Sequence, residues 1–424
     1  MSRRMVKLFS TAVICQVLLS LTNFIVGLLL IRYTHDADYG LFVLAQATIA
    51  LATTAQGAWV SGPLSVLAAK RDPLPRRDMI GAVSESLKRV TRLLAVPLLL
   101  AAPAGAAVGA WSWPMALVAM LTVVAGWFTL RREFYRGLLQ LYARPGTMLR
   151  ADLLAMASLI AIAALAAFGP LDAAMVAVGG LIVSSWLGST ASHVALGRDP
   201  GWTDDGEAAR YWQQMRPLAL WSTAGALIYW TFSQSYNYVL AARVDLAAVA
   251  DVNAARLLLM PAIVITVGIR GVLFPMAARW LVEIGMERLL KRLLVIFVAV
   301  AILQGIYFLM LWLGRDFVTG TILNKVIRDR EQLLLLWGGI ALIGLVREIA
   351  QMAIMALEQF KALAAFTAAS AALSLAVMWF GLDVYGPPAA LIGQIAGELV
   401  GLAGIFWLIR RARRLPPPPT PAAG

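Results

Sequence analysis

The chain has 424 residues, of which 61% are hydrophobic and only 14% are charged, and its mean hydropathy is +0.78. Soluble domains carry about a quarter charged residues, so this composition excludes an ordinary soluble enzyme or binding domain. The net charge of +13 would suggest nucleic acid in a soluble protein. Because basic residues collect in the cytoplasmic loops of membrane proteins, we instead expect a membrane protein without a nucleic-acid partner.

Apolar runs long enough to cross a bilayer recur along the whole chain. They predict an all-α integral membrane protein with about twelve transmembrane helices. The predicted spans lie near residues 8–31, 40–68, 92–111, 113–130, 149–168, 173–196, 217–242, 250–275, 292–313, 332–356, 362–382 and 388–409. Residues 412–424, which are rich in proline, predict an extended cytoplasmic tail.

The basic residues predict the orientation of these spans. Of the 36 Lys and Arg residues, 27 fall at the two ends of the chain or in the loops after the even-numbered spans up to span 10. Such a bias places both termini in the cytoplasm. Within the second loop, residues 76–92 carry apolar residues on one side and bases on the other, which predicts a helix lying on the inner leaflet.

Shifting the sequence by about half its length superimposes the first six spans on the last six, as expected of a transporter built from repeats. Arg32 and Arg243 each end the first span of their half, and the dipeptide Arg132-Glu133 corresponds to Arg347-Glu348. Because six spans return the chain to its starting side, the repeats are parallel, with a central cavity between them. We therefore expect two six-helix lobes, residues 1–211 and 212–411.

Ionisable residues at membrane depth are rare, and insertion scales assign each a cost of roughly 2.5–3.5 kcal/mol. Each such residue is therefore a candidate functional residue. The candidates for an anion-binding cavity are Arg256, Arg270 and Arg347, those for the cytoplasmic entrance are Arg132, Glu133 and Arg136, and those for ion coupling are Glu348 and Glu398.

Span 8 carries two of these arginines. On an ideal helix Arg256 and Arg270 lie within about 40° of each other, and Pro261 between them is expected to kink the span. One interpretation is a cationic stripe that lines a wet cavity and receives anions. The alternative is that both guanidinium groups extend to opposite membrane interfaces.

Polar residues form stripes along several other spans. These stripes predict either a polar lumen or hydrogen bonds between helices, and the sequence alone leaves both interpretations open. The lumen candidates are Gln16, Asn23, Gln46, Gln234, Asn237 and Asn253.

Span 12 contains Gly393, Gly397 and Gly401, whose spacing allows another helix to approach closely. Glu398 lies beside this stripe. It is either a protonatable group that couples transport to an ion gradient or the structural partner of an arginine, and Glu348 carries the same ambiguity.

Several motifs are absent from the sequence. It contains no P-loop, no HExxH and no GxSxG motif, and no loop is long enough for a catalytic domain. The two histidines have no Cys or acidic cluster at ligand spacing, so we expect no metal, no cofactor and no enzymatic activity.

Several short motifs suggest a family. They are Asn23-Phe24-Ile25-Val26-Gly27 through Tyr39-Gly40-Leu41-Phe42, then Ser61-Gly62-Pro63-Leu64, and Arg132-Glu133-Phe134-Tyr135-Arg136-Gly137. Together these motifs resemble polysaccharide biosynthesis proteins. These form the oligosaccharide-flippase (Wzx-type) branch of the multidrug and oligosaccharidyl-lipid exporter superfamily. The motifs cover about the first 150 residues, and the remainder agrees in span pattern and repeat.

The resemblance implies a transporter of the bacterial inner membrane that works by alternating access. Its cargo would be a polyprenyl-pyrophosphate-linked oligosaccharide for polysaccharide or O-antigen assembly, and its partners membrane lipids, a polysaccharide polymerase and glycosyltransferases. Span 1 has no acidic residue, whereas many drug-exporting relatives carry an aspartate there. The alternatives are a cation-coupled multidrug exporter of the same fold and a membrane-embedded glycan polymerase or ligase.

Overall fold

The computed structural model describes residues 3–197, 206–357 and 359–414, and within these ranges the chain is helical with no strand. The helices are α1 (Arg3–Tyr33), α2 (Asp36–Gln56), α3 (Gly62–Ala69), α4 (Pro73–Ala107), α5 (Trp113–Leu141), α6 (Pro145–Phe168), α7 (Ala173–Leu196), α8 (Ala208–Arg243), α9 (Leu246–Leu258), α10 (Met260–Leu313), α11 (Arg315–Phe317), α12 (Arg330–Ala356), α13 (Phe360–Tyr385) and α14 (Ala389–Arg414). Two π-helical segments, Gly57–Ser61 and Val318–Leu323, follow α2 and α11. The predicted tail lies outside the described residues from position 415 onward.

Ten segments in the described part of the chain are long and apolar enough to cross a membrane. The bent pair Leu246–Leu258 and Met260–Thr266 makes eleven if it counts as one span. The prediction of an all-α, multi-pass membrane protein is therefore confirmed. The count of twelve stays a prediction, because α8, which covers the predicted seventh span, is not among these segments.

Two compact units make up the chain. The first comprises Met1–Trp230, Leu240–Leu257 and Ile322–Lys325, and the second comprises Thr231–Val239, Leu258–Thr321 and Val326–Gly424. The lobes predicted from the repeat, 1–211 and 212–411, stay a prediction.

The helix expected on the inner leaflet is placed differently by the structure. Residues 76–92 form the first half of α4, which continues without interruption into the third span. Met79, Ile80 and Val83 are fully buried and pack with residues such as Phe134 and Met148 in the core of the first unit. The surface-helix prediction is wrong, because an apolar stripe buried in a protein core has the same sequence pattern as one buried in lipid.

The predicted kink at Pro261 is confirmed. The chain bends by 59° where α9 gives way to α10, immediately before this proline. Proline has no N–H to donate and clashes with the preceding turn, so the helix breaks at this position. A second irregularity is Gly285 in α10, whose φ of 77° and ψ of 171° fall outside the helical region and suit glycine.

Candidate functional site

A buried ion pair joins two helices of the second unit. Arg347 on α12 places its Nε atom 2.8 Å from Oε2 of Glu398 on α14, and each side chain is only 8% exposed. Glu348 contributes a second carboxylate, with Oε1 3.8 Å from the Arg347 Nη2 atom. The structure thus brings together three of the five predicted ionisable residues of this half, Arg347, Glu348 and Glu398. Buried ions are retained only when paired, so the pairing accounts for their presence at this depth.

Small residues let these helices approach closely. A Cβ atom added at Gly397 would lie 2.5 Å from the Phe232 ring and 2.6 Å from the Ser370 carbonyl oxygen. At Gly401 it would lie 3.5 Å from Cδ of Arg347. The predicted close approach along the glycine stripe of span 12 is therefore confirmed. The guanidinium carbon of Arg347 also lies 5.6 Å from the Phe232 ring centroid, a cation–π distance.

Further polar groups of α13 and α14 are buried in the second unit. The hydroxyl groups of Ser370 and Ser374 and the Oε1 atom of Gln394 make no hydrogen bond with the described residues. Most buried polar groups in proteins are hydrogen-bonded, so each exception needs an explanation. Together with Arg347 and Glu398 they give this region the capacity to bind a polar group or a proton.

A related cluster lies in the first unit. Asp152 on α6 is 2% exposed. Its Oδ2 atom lies 3.0 Å from Arg136 Nε, and its Oδ1 atom lies 3.4 Å from Arg132 Nη2, both on α5. Glu133 lies 3.6 Å from Arg136 on the same helix. The three predicted entrance residues are thus brought together around a carboxylate that the sequence analysis missed.

Asp152 carried a signal that the sequence analysis did not use. It lies inside the predicted fifth span, 149–168, where an acidic residue is as costly as the ones that were singled out. Its partners are 16 and 20 positions earlier on another helix. Helical periodicity relates only residues within one helix, so the pairing itself was not predictable.

A third buried network in the first unit was also missed. Lys325, whose side chain is 7% exposed, lies 2.9 Å from Asp36 and 3.7 Å from Asp251, which is 3% exposed. Three residues earlier, the carbonyl oxygen of Ile322 accepts a hydrogen bond from Arg32 at 2.8 Å. Lys325 falls between the predicted ninth and tenth spans, 292–313 and 332–356, and nothing in the sequence pattern indicates its burial.

The two arginines of span 8 fall on either side of the 59° bend, so the shared helix face inferred from an ideal helix does not apply. Arg256 is half-buried on α9 in the first unit, whereas position 270 belongs to α10 in the second. The side chain of Arg270 lies outside the described residues. Asn253 is buried, and its side-chain amide donates a hydrogen bond to the Val249 carbonyl oxygen at 2.8 Å, within the same helix.

The remaining lumen candidates belong to both units. Gln16 and Asn23 are exposed on α1, and Gln46 is half-buried on α2. Asn237 is fully buried, and its amide donates to Oε1 of Gln234 at 3.2 Å. Gln234 and Asn237 are therefore in contact with each other.

The first unit contains two open cavities. One, of about 450 Å³, is lined by Trp59, Val60, Ser86, Leu87, Val90, Trp212, Gln213, Arg216 and Ala219. The other, of about 250 Å³, is lined by Ser84, Leu87, Lys88, Thr91, Arg92, Trp127, Leu130, Arg131, Phe134, Tyr135 and His193. Within the described ranges, no three His, Cys, Asp or Glu side chains are grouped so that they could hold a metal ion.

No family model matches the sequence, and no curated protein matches it either. Solved structures do match over nearly the whole chain. An inward-facing multidrug resistance MATE family transporter of the MOP superfamily has a TM-score of 0.75 at 14% identity, over 94% of this chain and 96% of its own. An outward-facing MATE family transporter has a TM-score of 0.64 at 14% identity, over 97% of each chain.

A third similar structure is a MOP superfamily transporter from Pyrococcus furiosus, described as having a binding pocket of reversed polarity that suggests a different function. Its TM-score is 0.63 at 14% identity, over 97% of this chain and 96% of its own. At these identities the likeness establishes the fold. The chain therefore has the fold of MOP superfamily transporters, the superfamily that the resemblance implied.

Proposed function

We propose that this chain is an alternating-access transporter that moves a lipid-pyrophosphate-linked oligosaccharide from the inner to the outer leaflet of a bacterial inner membrane. Two considerations support a transporter. The same fold occurs in inward-facing and outward-facing structures. The sequence also has no nucleotide-binding motif, so the energy would come from an ion or substrate gradient.

The observation that carries the cargo proposal is the state of the buried carboxylates. The described residues include three buried acidic side chains, Asp152, Asp251 and Glu398. Each lies within 4 Å of a basic nitrogen, at 3.0, 3.7 and 2.8 Å respectively. None of the three is therefore without a basic partner. On this basis the proposal takes the cargo to be anionic, with phosphate oxygens that match the forked donors of arginine.

In this proposal the residues around Arg347 supply the coupling. The guanidinium lies between two carboxylates, at 2.8 Å from Glu398 and 3.8 Å from Glu348. Protonation of Glu398 would remove the closer negative charge and free Arg347 to bind the pyrophosphate. Loss of that proton would restore the ion pair and release the cargo. In this proposal Arg256 and Arg270 add further positive charge for the headgroup, and Arg132 and Arg136 act at the cytoplasmic entrance.

The second candidate is a cation-coupled multidrug exporter, which the names of the MATE family structures favour. In that case Glu398 would bind the coupling ion, and Arg347 would set its affinity. A polysaccharide polymerase and glycosyltransferases are the partners expected only for the first candidate.

One experiment separates the two candidates. The purified protein is reconstituted into proteoliposomes, and the movement of a fluorescent polyprenyl-pyrophosphate saccharide is measured in parallel with that of a cationic dye. We expect the saccharide lipid to change leaflets and the dye to stay in place. Dye transport without movement of the saccharide lipid would end the flippase proposal.

Matched variants test the residues. Arg347→Gln is expected to abolish saccharide movement, whereas Arg410→Gln removes an exposed charge and should leave it unchanged. Glu398→Gln mimics the protonated carboxyl and should abolish the response of transport to a pH gradient while cargo binding remains. A normal pH response in folded Glu398→Gln would contradict the coupling role.

A further inference from the structure

The smaller cavity of the first unit is lined by three helices. Residues 84, 87, 88, 91 and 92 form one face of α4, and residues 127, 130, 131, 134 and 135 form one face of α5. His193 from α7 completes the lining. These positions are set by the helix packing of the unit and do not depend on a loop.

Positive charge dominates this cavity. Lys88, Arg92 and Arg131 line it, and no acidic residue does. Glu85 lies 3.0 Å from Lys88 Nζ but does not itself line the cavity. Three cations around one small space favour an anionic ligand.

Aromatic contacts hold part of this wall in place. The Arg131 guanidinium carbon lies 5.6 Å from the ring centroid of Tyr135, and that ring lies 4.8 Å from the ring of His193. Tyr135 is 2% exposed. Because a buried ring has little freedom to move, Arg131 is held beside the cavity before any ligand arrives.

The volume limits what fits. At about 250 Å³ the cavity falls below the roughly 300–1,000 Å³ of pockets for drug-sized ligands. A phosphate with a small headgroup fits in this space, whereas a lipid-linked oligosaccharide does not. The ligand is therefore not the complete cargo.

The surface that follows the cavity along α4 points to a lipid. Leu93, Leu94 and Val96 are 72%, 64% and 55% exposed, which makes an apolar surface beside the charged one. Acyl chains would cover such a surface, whereas a free phosphate ion would make no use of it. Basic pockets between transmembrane helices are known to hold anionic headgroups.

We propose that this cavity binds the phosphate of an anionic phospholipid, with Lys88, Arg92 and Arg131 contacting the headgroup and the acyl chains lying along α4. This site is separate from the Arg347–Glu398 cluster of the second unit. It does not depend on the identity of the cargo.

Native mass spectrometry of the full chain tests the proposal, with phosphatidylglycerol as the probe and phosphatidylcholine as the neutral comparison. The triple variant Lys88→Gln, Arg92→Gln, Arg131→Gln is expected to lose roughly 10- to 100-fold in apparent affinity for phosphatidylglycerol. The control triple variant Arg150→Gln, Arg288→Gln, Arg410→Gln removes the same charge from exposed positions and should bind like the original protein.

A second variant keeps every charge. Thr91→Trp fills the cavity and should also weaken phosphatidylglycerol binding, since Thr91 lines it and bonds only to its own helix in the described contacts. If the two triple variants lose the same affinity for phosphatidylglycerol, the loss is due to surface charge in general, and the proposed site is overturned. Displacement of the lipid by inorganic phosphate, or a preference for a prenyl pyrophosphate over phosphatidylglycerol, would overturn its assignment to a phospholipid.

Discussion

The two halves of the chain carry the same Arg-Glu dipeptide on α5 and α12, but they neutralise the arginine in different ways. In the first half, Arg132 and Arg136 share the single carboxylate of Asp152. In the second half, the single guanidinium of Arg347 lies near two carboxylates. The first cluster therefore has two arginines and two carboxylates, since Glu133 lies 3.6 Å from Arg136, whereas the second has one arginine and two carboxylates.

The packing beside the two arginines is nevertheless equivalent. A Cβ atom at Gly188 on α7 would lie 3.1 Å from Cδ of Arg132, and one at Gly401 on α14 would lie 3.5 Å from Cδ of Arg347. These glycines are 213 positions apart, and so are Ser185 and Glu398. In the predicted repeat the arginine and the glycine therefore correspond, whereas the acid lies on the predicted fifth span of one half and on the predicted sixth span of the other.

The residues that set the helix packing therefore differ from those that set the charge. The shared arginine and glycine set how the fourth and sixth helices of each half pack. The position of the carboxylate decides where charge can change, and the second unit also contains the buried hydroxyl groups of Ser370 and Ser374, which have no hydrogen-bond partner among the described residues. We therefore expect the second cluster to respond more strongly to substitution than the first.

The largest expected effect is on the Arg347–Glu398 pair. Arg347→Leu or Glu398→Leu alone leaves the other charge buried, and either should lower the free energy of unfolding by about 3–5 kcal/mol. The double variant should lose less than either single variant, because neither member of the buried pair is left without its partner. Unfolding in mixed micelles measures all three, with Arg410→Leu as the exposed control. Additive losses in the double variant would show that the two side chains do not interact.

A smaller effect is expected in the first half. Asp152→Asn removes the carboxylate that Arg132 and Arg136 share, and should lower the free energy of unfolding by roughly 2–3 kcal/mol, the size of charged hydrogen bonds. The loss is smaller than for Glu398 because the side chains of Arg132 and Arg136 are 14% and 17% exposed and Arg136 keeps its contact with Glu133. A loss that exceeds that of Glu398→Leu in the same micelles would reverse the comparison.

The sequence predicted those features that depend on a single helix. Span positions, the kink at Pro261, the glycine stripe of α14 and the candidate residues Arg347 and Glu398 all follow from composition and spacing. Pairings between helices did not follow, since Asp152 and its arginines are on different helices. The burial of Lys325 was equally hidden, because a loop sequence does not reveal whether two aspartates lie beside it.

The third prediction concerns how closely α14 packs against its neighbouring helices in the second half. Gly397→Ala places a methyl group against the Phe232 ring and the backbone oxygen of Ser370, and should cost about 1–2 kcal/mol of unfolding free energy through overpacking. Gly344→Ala on α12 meets no atom within 4 Å and should be neutral or slightly stabilising. Equal unfolding free energies for the two variants would mean that the glycine stripe does not set the helix separation.

The smallest expected effect tests whether the acid can be moved within the repeat. Ser185 is the counterpart of Glu398 and is 2% exposed on α7, with its hydroxyl 2.9 Å from that of Thr129. Adding Ser185→Glu to Asp152→Asn should give Arg132 a new carboxylate partner on α7. The net recovery should be about 1 kcal/mol of unfolding free energy, because the hydrogen bond to Thr129 is lost at the same time.

The neighbouring residue supplies the matched control for this rescue. Ser184 is equally buried, but its hydroxyl bonds to the Leu181 carbonyl, and adjacent residues of a helix point in different directions. Ser184→Glu in the Asp152→Asn background should therefore destabilise the protein further. If both glutamates have the same effect on unfolding in mixed micelles, the correspondence between Ser185 and Glu398 is one of sequence position only. If Ser185→Glu restores stability and Ser184→Glu does not, the arginine has the same surroundings in both halves, and its acidic partner can come from either neighbouring helix.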